Sequence, residues 1–496
     1  MGLKSIAVKP FASLTARKIK RDAQKAIIHQ QQILKQIVAT AQHTAFGKDH
    51  HFHNIKNYQD FKQAVPIRDY EGLKHYFDQV KDGKSDILWP GQPKYFAKTS
   101  GTTSGVKYIP LTKASIPNHF GSARNMVFNY IATTGKTKFM DGKMIFLSGS
   151  PTLSETNGVL TGRLSGISNH MIPRWLKASQ MPSYEVNCIE DWETKLDRIV
   201  EETVKEDMTM ISGIPPWVQM YYERLLDYTG KSTVMDVFPN FSLFAYGGVN
   251  YEPYRAKLEE LVGKRIDSLE TYPASEGFIA FQDRQDDLSL LLNSNSGIFY
   301  EFVPVAEIFK AVPTRYAMEE VETGVNYAVI INSNAGLWGY NIGDTVRFTS
   351  VRPYRLLVTG RVKHYISAFG EHVIGKEVEE ALLSVCKQED VAVVEFTVAP
   401  QINPPEGGVA YHEWLIEFDR APADLTSFAS KVDQEMVRQN IYYKDLIDGN
   451  ILQPLKIKAL PQNAFRDYMK SQGKLGGQNK VPRLSNDRKI AALLLG

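Results

Sequence analysis

Residues 97–110 read AKTSGTTSGVKYIP, a run of hydroxyls and glycines between flanks that look ordered. PKYFAKTS is a candidate strand feeding the loop, and YIPL resumes an extended form after it. Gly101 and Gly105 allow a positive φ or close approach to a ligand, while Thr99, Ser100, Thr102, Thr103 and Ser104 supply hydroxyls and amides. Lys107 adds a positive charge. This is not a Walker A loop: three residues lie between its glycines rather than four, and Tyr108 stands where a magnesium-binding hydroxyl would follow the lysine. Composition leaves two readings open, a phosphate cradle of unpaired amides and a plain polar turn.

Outward from the loop, Thr112 is placed to cap a helix through KASIPNHFGSARNMVFNYI. Strand candidates KMIFLSG, MTMISGI, VFPNFSLFAYGG, KRIDSLETY, GIFYEFVPV, NYAVIINSNAG and RLLVTGRV then alternate with helical stretches such as DWETKLDRIVEETVKED, PWVQMYYERLLDYTG and EPYRAKLEELVG. That alternation predicts a large α/β region. GKEVEEALLSVCKQ, VAVVEFTV, YHEWLIEF and DLTSFASKVDQEMVRQNIYY form a separate α+β unit. The break falls near TGRVKHYISAFGEH, giving domains 1–363 and 364–496. Leu14–Gln42 reads as one basic amphipathic helix, with Ile27, Ile33, Ile37 and Ala41 on its apolar face.

With 496 residues and 43% hydrophobic content, the chain has material for more than one core. A net charge of +3 is too small for its size to imply a nucleic-acid partner. Cys188 and Cys386 are the only cysteines, which disfavours a disulfide-built secreted scaffold and fits a reduced, cytoplasmic setting. The N-terminus has positive charges without a signal-peptide core, Ile6 breaks the myristoylation pattern, and no run is long enough to span a bilayer. A monomer off the membrane is expected.

Two later loops bear on the glycine run. In LETYPASEGF, Tyr272 can stack on a flat ring and Glu276 can hold a hydrated divalent cation beside phosphate. In isolation, Glu276 reads as a surface or helix-capping carboxylate rather than a catalytic one. In GLWGYNIGDTVRF, Asp344 lies in a tight turn where it can accept both ribose hydroxyls or cap the turn itself.

The loop of residues 99–105, YPASE and YNIGD, in that order, make the chain resemble the auxin-responsive acyl-acid amido synthetases (the Gretchen Hagen family), a branch of the adenylate-forming enzymes. The resemblance runs from TAFGKDH to NKVPR. It implies a large multi-layer α/β N-terminal domain with a smaller, mobile α+β lid, and ATP with Mg²⁺ as cosubstrate and cofactor. Carried over residue by residue, it implies that Ser100, Gly101, Thr102, Thr103, Ser104 and Gly105 embrace the β- and γ-phosphates. Gly247 and Gly248 of AYGGVN and Tyr272 would lie at adenine, Ser275 at the α-phosphate, Glu276 on Mg²⁺ and Asp344 on ribose. Lys480 of GGQNKVPR would serve adenylation as the late lysine, and Arg361 and Lys363 would stand at the hinge. The implied reaction joins a carboxylic acid to an amine, an amino acid by expectation, through an acyl-adenylate.

Leu147, Ser148, Ile214 and Trp217 fall where the family's acyl wall is expected, although Trp217 taken alone reads better as core. Arg163 in LTGRLSGI can meet an acid or make a surface ion pair. The alternatives are a CoA-dependent acid–thiol ligase, with the same first half-reaction, and a non-catalytic nucleotide-binding protein.

Overall fold

A computed structural model describes residues 3–496 apart from 101–105, 173–176, 249–250, 363–364, 367–372, 403, 406–408, 449–451, 476–479 and 486. The flanks of the glycine run form a hairpin. Strand β1 (Tyr95–Ser100) lies antiparallel to β2 (Val106–Leu111), pairing Ser100 with Val106 across residues 101–105. Strand β3 (Lys143–Phe146) belongs to the main sheet. With β4 (Ser154–Thr156) and β5 (Val159–Gly162), the hairpin makes a small sheet ordered β2-β1-β5-β4, in which β1 and β5 are parallel.

The main sheet continues with β6 (Gln180–Met181), β7 (Met208–Ser212), β8 (Leu243–Gly247), β9 (Asp267–Ala274), β10 (Gly277–Phe281) and β11 (Leu290–Leu292). Its remaining strands are β12 (Ile298–Pro304), β13 (Tyr316–Ala317), β14 (Asn326–Ser333), β15 (Tyr340–Val351) and β16 (Tyr354–Arg361). Their spatial order is β13-β12-β14-β15-β16-β11-β10-β9-β8-β7-β3-β6. Strands β6, β3, β7, β8 and β9 run parallel, so their C-terminal ends share one edge, the place where open α/β sheets bind ligands. Helices cover both faces of such strands, which is why Met208–Ile211 and Leu243–Tyr246 are buried without alternation.

Two helices replace the single one expected at the N-terminus, Leu3–Gln24 and Ala26–Ala41, with Lys25 leaving the helical region at φ −104°, ψ 20°. The halves serve different cores. Val8 and Ala12 pack with Met126 and Tyr130, whereas Ile33 and Ile37 join the cluster around Phe46 and Trp338. Thr112 does not cap the helix after β2. That helix, Ile116–Thr134, begins with a proline in its first turn, and residues 112–115 form a turn closed by reciprocal Thr112–Ser115 hydrogen bonds.

The chain divides into two compact units, Met1–Val249 with Leu261–Leu357, and Asn250–Glu260 with Val358–Gly496. The second contains a two-stranded ladder, β17 (Tyr365–Ile366) with β18 (Val373–Ile374), and a sheet of β19 (Ala392–Gln401), β20 (Tyr411–Arg420) and β21 (Gln453–Leu460). Helices Gly375–Glu389 and Leu425–Gln439 contribute to its core around Val398, Trp414 and Phe428. Asn250–Glu260 joins this unit through Tyr254, whose hydroxyl donates to Glu395 at 2.9 Å and accepts from Arg483 Nη2 at 2.9 Å. Both cysteines are free thiols, and burial pushes Cys386 up to about 12. No helix among the described residues is long and apolar enough to cross a membrane.

Candidate active site

Glu276 and Asp344 both sit where a regular ladder breaks. Ala274 pairs with Gly277, so Ser275 and Glu276 are the two-residue tip of the β9–β10 hairpin, at the C-terminal edge of the parallel strands. Asp344 lies in a bulge of β15. Between the pairs Ile330–Asn341 and Ala328–Thr345, β14 advances two residues while β15 advances four. Gly343 takes φ +84° there, a conformation that side chains disfavour, and its amide donates to Asn341 Oδ1 at 2.9 Å.

The two loops are tied crosswise. Tyr272 of YPASE donates its hydroxyl to Asp344 of YNIGD at 2.9 Å, and Tyr340 of YNIGD donates to Glu276 of YPASE at 3.3 Å. Both rings are buried, at 7% and 1% exposure, while both carboxylates are partly exposed. Burial, reinforced by the charge of Glu276, holds the Tyr340 phenol well above its ordinary ionisation range, so it stays a donor. In sheet order β9 and β15 are separated by β10, β11 and β16. Four interstrand steps would span about 19 Å in a flat sheet, so the sheet curls to bring these side chains into contact.

Neighbouring elements fix this arrangement. Asn118, early in the helix Ile116–Thr134, accepts from the Phe278 amide at 2.6 Å and donates to the Phe278 carbonyl at 3.3 Å, pinning the strand just after Glu276. Thr112 donates to the Asn334 carbonyl at 2.6 Å, joining the end of β2 to the turn before β15. On the helix Tyr70–Lys81, the Tyr70 hydroxyl accepts from the Tyr108 amide at 3.1 Å and Lys107 lies 5.7 Å over the Tyr70 ring. Phe77 of that helix packs edge-on to Tyr340. The base of the glycine hairpin is thus connected through side chains to Tyr340. Sequence reasoning missed Asn118 and gave Tyr340 no role; the only signal was polarity at positions that an apolar periodicity would fill.

At the end of β8, Gly247 lies so close to β9 that a Cβ would stand 2.4 Å from Thr271 Oγ1 and 2.6 Å from the Thr271 carbonyl. Gly248 follows with φ +77°. Farther along the same edge, Leu147 follows β3 and approaches Gly213 after β7, and Ile214 precedes the helix Pro215–Thr229. Trp217 is buried against Trp192 at 4.9 Å. Lys195, 2% exposed and also unforeseen from sequence, donates to the carbonyls of Ser148 at 3.0 Å and Asn187 at 2.7 Å.

Gly101, Thr102, Thr103, Ser104 and Gly105 lie outside the described residues, as does Lys363; for Ser100 only the backbone in β1 is described. Arg361 ends β16 and Lys480 is exposed in the second unit. Just after Lys480, the chain is held to β19, where Thr397 donates to the Pro482 carbonyl at 2.7 Å and the Val398 amide to that of Arg483 at 2.9 Å. Among the described residues no group of three or more metal-binding side chains is assembled. A lone hard carboxylate such as Glu276 suits a magnesium ion that keeps waters and takes its other ligands from phosphate.

A solved acyl acid amido synthetase, GH3.15 with bound 2,4-DB, superposes with a TM-score of 0.78 at 15% identity over 97% of this chain and 95% of its own. A 2-hydroxyisobutyryl-CoA ligase follows at a TM-score of 0.58 and 13% identity, covering 97% and 90% of the two chains. The fold is that of the adenylate-forming enzymes. Residues 15–168, 291–361 and 376–489 match the N-terminal, central and C-terminal domains of the GH3 family, together more than half of the chain. The jasmonoyl–L-amino acid synthetase JAR4 of Nicotiana attenuata is 21% identical over 508 residues, covering 87% of this chain and 86% of its own. The indole-3-acetic acid-amido synthetase GH3.4 of Arabidopsis thaliana is 20% identical over 545 residues, covering 94% and 90%. The chain belongs to the GH3 family of acyl-acid amido synthetases. It is an ATP-dependent ligase, adenylating an acid and forming an amide with an amino acid.

Proposed function

We propose that this activity is centred on the edge formed by β8, β9 and the bulge of β15, with the residues in the following roles. Asp344, oriented by Tyr272, accepts the ribose hydroxyls. Gly247 and Gly248 leave room for adenine beside Tyr272, and Ser275 donates to the α-phosphate. Glu276, steadied by Tyr340, holds Mg²⁺, which offsets phosphate charge when bound. The donors of residues 100–105 take the β- and γ-phosphates. The crossed Tyr272–Asp344 and Tyr340–Glu276 hydrogen bonds carry this reading, because they bring two segments far apart in sequence into one rigid constellation of partly exposed carboxylates.

In the first half-reaction the substrate carboxylate displaces pyrophosphate at the α-phosphorus. Lys480 adds positive charge as negative charge concentrates there, and Arg361 contacts the nucleotide. In the second, a neutral amine attacks the acyl carbonyl and AMP leaves. Closure of residues from 364 onward excludes water from the hydrolysable adenylate. Hormone acids belong to the relatives named for them. The chain acts as a monomer in the cytoplasm. The test is acid-dependent exchange of labelled pyrophosphate into ATP over a panel of carboxylic acids with Mg²⁺. Exchange is expected with some of them, and amino acids rather than CoA should then give the ligated product. Its absence throughout, from folded protein that binds ATP, would leave only a nucleotide-binding protein.

A further inference from the structure

The helix Leu3–Gln24 has two unlike sides. Val8 and Ala12 pack with Met126 and Tyr130, and Ile19 and Ala23 lie against the same cluster. On the other side Phe11 and Leu14 are 63% and 62% exposed, and Arg17, Lys18 and Arg21 stand exposed one and two turns beyond Leu14. Phe11, Leu14, Lys18 and Arg21 succeed one another at steps of three, four and three residues, so they share the outward side. Lys25, at the break before the next helix, is exposed as well. Arg21 lies 3.9 Å from Asp22, a partly buried acid. The net charge of +3 conceals a division. Residues 1–48 hold nine of the 58 lysines and arginines and one of the 55 acids, so the rest of the chain is net negative.

That charge says what covers the exposed side. A second copy of the helix would set Lys18 and Arg21 against their like. A nucleic-acid backbone would match the cations while leaving Phe11 and Leu14 in water. An anionic bilayer matches both, with phosphate headgroups for the cations and the acyl boundary for the apolar side chains. We propose that the outward side of this helix is a docking surface for anionic phospholipid, with Phe11 and Leu14 entering the acyl boundary and Arg17, Lys18, Arg21 and Lys25 at the headgroups. The contact lies on the membrane surface and is reversible; no described helix spans a bilayer, and the docking goes beyond the expectation of a monomer off the membrane. The surface shares no residue with the proposed active site. Read as one long helix, the sequence concealed it, because Ile27, Ile33, Ile37 and Ala41 belong to the second helix and face the protein core or its margin.

The test sediments the full chain with vesicles of phosphatidylcholine alone and of phosphatidylcholine and phosphatidylglycerol in equal parts. Partition onto the mixed vesicles is expected to exceed that onto phosphatidylcholine about 100-fold and to fall as salt rises, because the cations act through a screened field. Phe11→Ser with Leu14→Ser should lower it about 10- to 100-fold by removing the apolar insertion. Arg17→Gln with Lys18→Gln should lower it about 25-fold, the product of about fivefold for each charge. All four side chains are exposed, so the urea midpoints should match the wild type, and the comparison of the two lipids needs no variant. Equal partition onto the two vesicles, or none, overturns the proposal. Tighter binding to polyuridylate or polyglutamate than to the mixed vesicles overturns it by assigning the cations to a nucleic acid or an acidic protein. A dimer in sedimentation equilibrium that Phe11→Ser with Leu14→Ser dissolves overturns it by assigning the side to a second copy. Vesicle binding that both double variants keep in full places the lipid on another surface and overturns it too.

Discussion

Glu276 and glutamine differ by one charge and share the oxygen that Tyr340 contacts. Glu276→Gln should therefore fold as the wild type does while exchanging pyrophosphate about 100-fold more slowly and needing more Mg²⁺. Equal rates at every Mg²⁺ concentration would remove Glu276 from the metal. Lys195 gives a residue-scale prediction about stability. Its folded value of about 8 lies below the ordinary 10.5, so below pH 8 the ammonium is buried at a cost, and as pH rises from 8 towards 10.5 the folded chain sheds the proton before the unfolded one. Stability should thus rise across that window relative to Lys195→Met. Urea midpoints of the two proteins that keep a constant difference with pH would show that Lys195 does not titrate early.

At the scale of elements, the hairpin tip and the bulge matter because a regular ladder would turn alternate side chains to fixed faces and could not aim Glu276 and Asp344 at one volume. Gly247 belongs to this scale, since it sets how closely β8 and β9 approach beside the tip. Gly247→Ala forces a methyl onto backbone and should destabilise the larger unit by about 1–3 kcal/mol, lowering its urea midpoint. An unchanged midpoint would mean that the strands can part without loss. The strands themselves were legible from apolar runs. The division of the N-terminal helix at Lys25 was not, because each half keeps the helical period and the break follows from packing on two separate cores.

At the scale of the molecule, the proposal gives Lys480 a part in the first half-reaction and none in the second. Lys480→Ala should slow adenylate formation in a single turnover by about 100-fold at saturating substrates, while aminolysis of adenylate already formed proceeds at the wild-type rate. Unchanged adenylate formation would take Lys480 out of the reaction. The contacts of Asn250–Glu260 also act at this scale. This segment follows the glycines of β8 in sequence yet clusters with the C-terminal unit through Tyr254, Glu395 and Arg483. Its amphipathic pattern showed a helix without showing which body the helix joins.

From the sequence alone came the strand alternation, the extended flanks of the glycine loop and three motifs in the order of one family, because each is written in neighbouring residues. The crossed bonds between Tyr272 and Asp344 and between Tyr340 and Glu276, the hold of Asn118 on Phe278 and the meeting of Arg163 with Gly149 were decided only by the tertiary structure. Their partners are brought together by sheet curl, bulges and helix packing. Those depend on how buried side chains fit across the whole unit, and no local period records that fit.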